Sequence, residues 1–127
     1  MCIQTGHIVW YNGPFPPGAW PDIRIARDAL IYMVDRGERM LADGVYFDGY
    51  QFFETPTGRN DDDQRMKAAA RARHETVNGR LKRWGILEQR FRHRREIHHK
   101  VFRSIITITD YVIKNEEPLF SVEYCDV

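Results

Sequence analysis

An α/β fold follows from three observations: a single domain over residues 1–127, with a short mixed sheet packed by one N-terminal and two long C-terminal helices. Short, apolar, β-prone runs crowd into the first 53 residues, and helical spacing replaces them from about residue 60 onward. The 127 residues are 43% hydrophobic and 13% aromatic, which is enough apolar surface for one core.

In chain order, Ile3–Thr5 and His7–Tyr11 are two short runs separated by Gly6, the pattern of antiparallel strands joined by a tight turn. NGPFPPGAWP then forbids helix and makes an extended loop anchored by Phe15 and Trp20. Asp22 stands at an N-cap position. Ile23–Arg36 follows as a helix with Ala26, Ala29, Leu30, Met33 and Val34 at helical spacing and Gly37 as its stop. Arg39–Asp43 predicts a strand that delivers Asp43 at its carboxyl end, the edge of an α/β sheet where ligands bind. VYFDGYQFF is aromatic and β-prone, and ETPTGRNDDD is a polar loop. Arg95–Asn115 repeats helical spacing through Ile97, Val101, Ile105, Ile108 and Val112, a mostly core-facing helix, and Pro118 closes it before an extended tail.

The longest helical signal is Met66–Trp84. Asn60, Asp61, Asp62 and Asp63 cap its start and complement the positive end of its dipole. At about 100° per residue, Met66, Ala70, Val77, Leu81 and Trp84 form an apolar stripe about 60° wide. Arg71, Glu75, Asn78 and Lys82 form a second stripe, a carboxylate between two cations. Such a group is placed to accept a metal or a proton, and the same spacing also describes ordinary solvent-facing ion pairs worth about 0.3–0.5 kcal/mol each.

A net charge of +1 conceals a strong polarity. Residues 1–63 carry five Lys/Arg against ten Asp/Glu, residues 64–103 thirteen against three, and residues 104–127 one against five. The basic middle, with Arg90, Arg92, Arg94 and Arg95 clustered and Trp84, Phe91 and Phe102 interleaved, suits a phosphate backbone. A solvated helix face is the alternative. His93, His98 and His99 do not read as a zinc site, because adjacent helical histidines point about 100° apart and no cysteine lies near. Cys2 and Cys125 lack ligand spacing and read as free thiols. No apolar run approaches a membrane span and nothing has the form of a signal peptide, so a soluble intracellular protein with no membrane partner is expected.

Arg71-x3-Glu75-x6-Lys82, within RARHETVNGRLKRW, resembles the C-terminal acidic motif of DDE transposases, nearest the Harbinger-like and related eukaryotic DDE superfamily endonucleases. The likeness extends to IQTGHIVWYNGPFPPGAWPDIRI, LADGVY, FRH, HHKVF and EEPLF, in order along the chain. It implies a partial RNase H-like fold and a nuclear, transposable-element origin. It also implies metal-dependent DNA cleavage and strand transfer, a hydrolase chemistry in which carboxylates hold Mg²⁺ or Mn²⁺. Asp43 and Glu75 would then be the second and third acidic ligands. Arg71 and Lys82 would contact DNA alongside Arg90, Arg92, Arg94 and Arg95, with Asp22 and Asn78 as supporting residues. The family's first acidic residue lies on an opening strand upstream of IQTG, so the expectation is an N-terminally truncated domain, inactive in cleavage by itself. The alternative is a non-catalytic remnant that binds nucleic acid or a protein partner, as a homo-oligomer or with an accessory DNA-binding protein.

Overall fold

A computed structural model describes residues 1–13, 15, 19, 21–46, 51–55 and 61–123. The readings placed on Trp20, Asn60 and Cys125 lie outside the described residues. The fold is mixed α/β and mostly helical. Its elements run α1 (Asp22–Asp28), β1 (Met40–Leu41), β2 (Phe53–Glu54), α2 (Asp61–Lys82), α3 (Gly85–Glu88) and α4 (Arg95–Asn115). The chain divides into two compact units, Phe15–Arg71 and Met1–Pro14 with Ala72–Val127.

In the Phe15–Arg71 unit, β1 and β2 pair in parallel, with Met40 opposite Phe53 and Leu41 opposite Glu54. The Met40 N–H donates to the Phe52 carbonyl, and the Ala42 N–H extends the ladder to the Glu54 carbonyl. Phe53 and Thr55 are fully buried, together with Ala26, Ala70 and Lys67. The helix expected over Ile23–Arg36 is shorter: α1 stops at Asp28, Ala29 leaves helical geometry, and a single 3₁₀ turn covers Leu30–Tyr32. Tyr32 and Met33 are 78% and 72% exposed and Ala29, Leu30, Ile31 and Val34 only half-buried, so packing does little to hold the last two predicted turns against fraying. Gly37, at φ 90°, makes the reversal into β1 as a left-handed turn residue. Asp22 is not the N-cap. Pro21 takes that position, and Asp22 is the first helical residue.

The unit made of Met1–Pro14 and Ala72–Val127 has its core where Val77 of α2, Ile113 of α4 and Leu119 meet, with Met1, Ile8 and Leu81 packed around them. The hairpin expected at Ile3–Tyr11 does not form. Gly6, at φ 76°, closes a turn in which its N–H donates to the Cys2 carbonyl and the Cys2 N–H donates to the His7 carbonyl. Backbone groups that a strand ladder would use go to side chains instead. The buried Arg73 guanidinium donates to the Ile3 and Gln4 carbonyls, and the Ile8 N–H donates to Asp110 Oδ1 at 2.9 Å.

α2 begins five residues before the predicted Met66, with Asp61, Asp62 and Asp63 forming its first turn at the positive dipole end. Ala70 and Val77 of its predicted apolar stripe are buried, whereas Trp84 is 39% exposed. α4 has the predicted bounds but a different core face. Ile105, Ile106, Thr109 and Ile113 are buried, while Ile97 and Ile108 point outward at 39% and 46% exposure. Two apolar rows run along this helix, and periodicity alone does not say which of them faces the core.

Candidate functional site

At the carboxyl end of β1 the chain turns through a 3₁₀ step at Gly44–Tyr46, in which the Tyr46 N–H donates to the Asp43 carbonyl at 3.1 Å. Asp43 is exposed there, as expected for a residue delivered by a strand end. The same turn brings the Tyr46 phenol to the Asp22 carboxylate, to which it is hydrogen-bonded. Burial, then the charge of Asp22, the hydrogen bond to it and the charge of Asp43 push the phenol up to about 12. Its ring packs on Phe53 of β2 with centroids 5.4 Å apart. Two predicted site carboxylates, from α1 and from the end of β1, are thus gathered around one neutral hydroxyl. Sequence reasoning missed Tyr46 as the link, although its place three residues after Asp43, one 3₁₀ turn away, was a usable signal. These oxygens are of the hard donor type that Mg²⁺ takes. Among the described residues, no group of three or more His, Cys, Asp or Glu side chains is arranged to hold a metal.

In the same unit, the buried Lys67 of α2 is fully engaged. Its ammonium lies 2.7 Å from Glu54 Oε1 and 2.8 Å from Asp63 Oδ2. Burial alone would disfavour the charged amine. The hydrogen bonds to Asp63 and Glu54 outweigh it and hold Lys67 above the usual lysine range. The group neutralises itself and ties α2 to the end of β2.

The predicted second stripe of α2 forms a solvent-facing row: Arg71, Glu75 and Lys82 are exposed and Asn78 is half-buried. Among the described residues, none of Arg71, Glu75 and Lys82 enters an ion pair, so Glu75 is not clamped between its expected cations. Asp43 belongs to the Phe15–Arg71 unit and Glu75 to the other. Next to Glu75, His74 is an exposed residue that partial desolvation, and then the positive N-terminus, hold below its ordinary value, with Glu75 opposing.

The basic middle of the chain separates into structural and surface cations. Lys67 and Arg73 are buried, Arg65 lies 3.9 Å from Asp62, and the Arg80 guanidinium donates to the Glu117 carbonyl beyond the end of α4. Lys82, Arg83, Arg90, Arg92, Arg94, Arg95, Lys100 and Arg103 remain exposed, and among the described residues none of them has a carboxylate partner. The segment from Arg90 to Arg94 alternates. Phe91 is half-buried edge-on to His98 at 4.6 Å and to His93 at 5.5 Å, and the arginines on either side of it are exposed. His98 stacks on Phe102 at 6.2 Å, and Tyr11 meets Phe102 edge-on at 5.9 Å. An aromatic platform therefore holds the arginine-bearing backbone in place.

No family model, no curated protein and no solved structure matches this chain.

Proposed function

We propose that this chain binds the phosphate backbone of DNA through Arg90, Arg92, Arg94 and Arg95, assisted by Lys82, Arg83, Lys100 and Arg103. In this reading it derives from the catalytic domain of a DDE-type transposase with a partial RNase H-like fold, and acts in the nucleus. One observation carries the binding reading: four exposed arginines without carboxylate partners sit on a segment that Phe91, His93 and His98 pin by ring contacts. Pinned cations lose less freedom on meeting phosphate than cations on a loose loop, and each one that meets phosphate releases a counterion. Nothing about such a surface reads base edges, so binding is expected to be largely independent of sequence.

Fluorescence anisotropy with a labelled duplex across a salt series tests this. Four phosphate contacts predict a slope of log K against log salt of about −3.6, steeper if the flanking lysines engage. Replacing Arg90, Arg92, Arg94 and Arg95 by Gln should remove about that much of the slope. A flat salt dependence, or an unchanged slope in the fourfold variant, refutes the reading.

A second reading, metal-dependent cleavage, is favoured by the gathering of Asp22 and Asp43 around Tyr46. In this reading Asp43, with Asp22 near the same hydroxyl, would offer carboxylate oxygens to Mg²⁺ or Mn²⁺, and the ion would polarise the scissile phosphate. Nicking of supercoiled plasmid in Mn²⁺ that disappears in both Asp43→Ala and Asp22→Ala supports it. Nicking that survives either substitution assigns the activity elsewhere.

A further inference from the structure

α4 carries more apolar surface than its own unit covers. Its buried residues are Ile105, Ile106, Thr109 and Ile113. A separate row along α4, Ile97, Val101, Ser104, Ile108, Tyr111 and Asn115, advances by alternating steps of four and three residues. That is the spacing of a seam between two helices packed along their length. Ile97 is 39% exposed, Ile108 46% and Tyr111 59%, whereas Val101 is half-buried. A solvated helix face does not need three large apolar residues at seam spacing, and the small Ser104 at the middle of the row lets a second backbone approach closely.

We infer that this row is the contact between two copies of the chain, whose α4 helices pair in antiparallel orientation. Charge selects both occupant and direction. Arg92, Arg94 and Arg95 stand at the amino end of α4, and Glu116 and Glu117 lie just past its carboxyl end. Among the described residues none of these five side chains enters an ion pair. A parallel pair would stack one arginine cluster on the other. An antiparallel pair sets each cluster beside the partner's Glu116 and Glu117 and opposes the two helix dipoles.

In that register Ile97 of one copy meets Ile108 of the other and Val101 meets Ser104. Each pairing occurs twice about a two-fold axis, as an isologous interface requires. Asn115, a polar residue within the row, penalises registers that would bury it against an apolar side chain. With only four apolar side chains per copy, and Val101 half-covered already, association is weak, with a Kd about micromolar or higher.

Sedimentation velocity over a concentration series, without nucleic acid, reads this directly and independently of DNA binding. The chain should pass from monomer to dimer as concentration rises. Ile108→Glu should hold it monomeric with its helical circular dichroism intact, since Ile108 lies outside the core face. Tyr111→Ser, a milder second variant, should weaken the dimer about tenfold or more.

Orientation is read by cross-linking in a Cys2→Ser, Cys125→Ser background. Ile97→Cys mixed with Ile108→Cys should give a mixed disulfide dimer in excess over either self-linked product. Arg92→Glu with Arg94→Glu should weaken association, and mixing that chain with one carrying Glu116→Lys and Glu117→Lys should restore it. A chain that stays monomeric throughout, a dimer indifferent to both Ile108→Glu and Tyr111→Ser, or preferential self-linking of Ile97→Cys overturns the inference and leaves the row to a different partner.

Discussion

Replacing Lys67 by methionine keeps most of the side-chain stem and removes the charge that Glu54 and Asp63 share. The Lys67 side chain is 7% exposed, that of Glu54 23% and that of Asp63 39%. Breaking a fully buried ion pair by deleting one partner costs about 3–5 kcal/mol, because the remaining charge is stranded away from water. Here the stranded groups differ. Asp63 sits at the rim, recovers water readily, and should contribute no more than a surface pair, about 0.2–1 kcal/mol. Glu54 is the less exposed and carries most of the loss, so the expected cost of Lys67→Met is about 2–3 kcal/mol. The assay is urea unfolding followed by helical circular dichroism, read as a change in midpoint at constant slope.

Two further variants apportion the effect. Asp63→Asn alone should cost about 0.5 kcal/mol, within the range of a surface pair. Adding Glu54→Gln to Lys67→Met should recover about 1–2 kcal/mol, because the uncompensated carboxylate is gone. The pH dependence carries its own sign. The folded-state value of Lys67 lies above its unfolded one, so its contribution is fully present below the ordinary lysine range and is lost only as pH rises through the raised value. A Lys67→Met variant within 0.5 kcal/mol of the parent, or an Asp63→Asn variant as damaged as Lys67→Met, would refute this account.

Gly6→Ala should destabilise by about 2–4 kcal/mol, since φ 76° is strained for any side chain and the added Cβ would stand 2.7 Å from Leu119 Cδ1. Gly79→Ala, in the open on α2, should stabilise by about 1 kcal/mol, and the pair measured by urea midpoint separates turn strain from helix propensity. Thr55→Val should be neutral or stabilising by up to about 1 kcal/mol, because among the described residues the buried hydroxyl has no hydrogen-bond partner; a loss in the same measurement would mean that the hydroxyl is engaged. Acidification should weaken the fold in two steps. Below about 6.5, the ordinary histidine value, the unfolded chain protonates at His74 before the folded one does. Below about 3.8 the same holds for Asp110: burial raises its carboxyl, but hydrogen bonds from Lys114 and the Ile8 N–H outweigh that and hold it low. His74→Gln should flatten the first step and Asp110→Asn the second in thermal melts across pH.

How much of this was legible in the sequence depended on whether a residue's neighbours were local. The bounds of α4 and the delivery of Asp43 just past the end of β1 follow from spacing and strand polarity, properties of a few consecutive residues. Lys67 and Arg73 show the other case. On a wheel of about 100° per residue Arg73 lies about 20° from Met66, inside the angular range of the core, yet its charge made it read as one more cation for a phosphate. What buries it is a set of carbonyls at Ile3 and Gln4, about seventy positions away in the chain, and no local pattern announces an acceptor that distant. The same long-range satisfaction removed the expected hairpin, since Arg73 and Asp110 take the backbone groups that strand pairing would have used.

This bears on function through the charge count. Thirteen cations over residues 64–103 suggested a basic surface, but Lys67 and Arg73 are core electrostatics and Arg80 serves the end of α4. The exposed cations that remain are Arg65, Arg71 and the run from Lys82 to Arg103, which is centred on the ring-pinned arginines. If the proposed binding holds, Arg90–Arg95 should matter more than the equally exposed Arg71, because ring contacts of Phe91, His93 and His98 pin their segment; Arg71→Gln should shift the salt-dependence slope less than the fourfold variant.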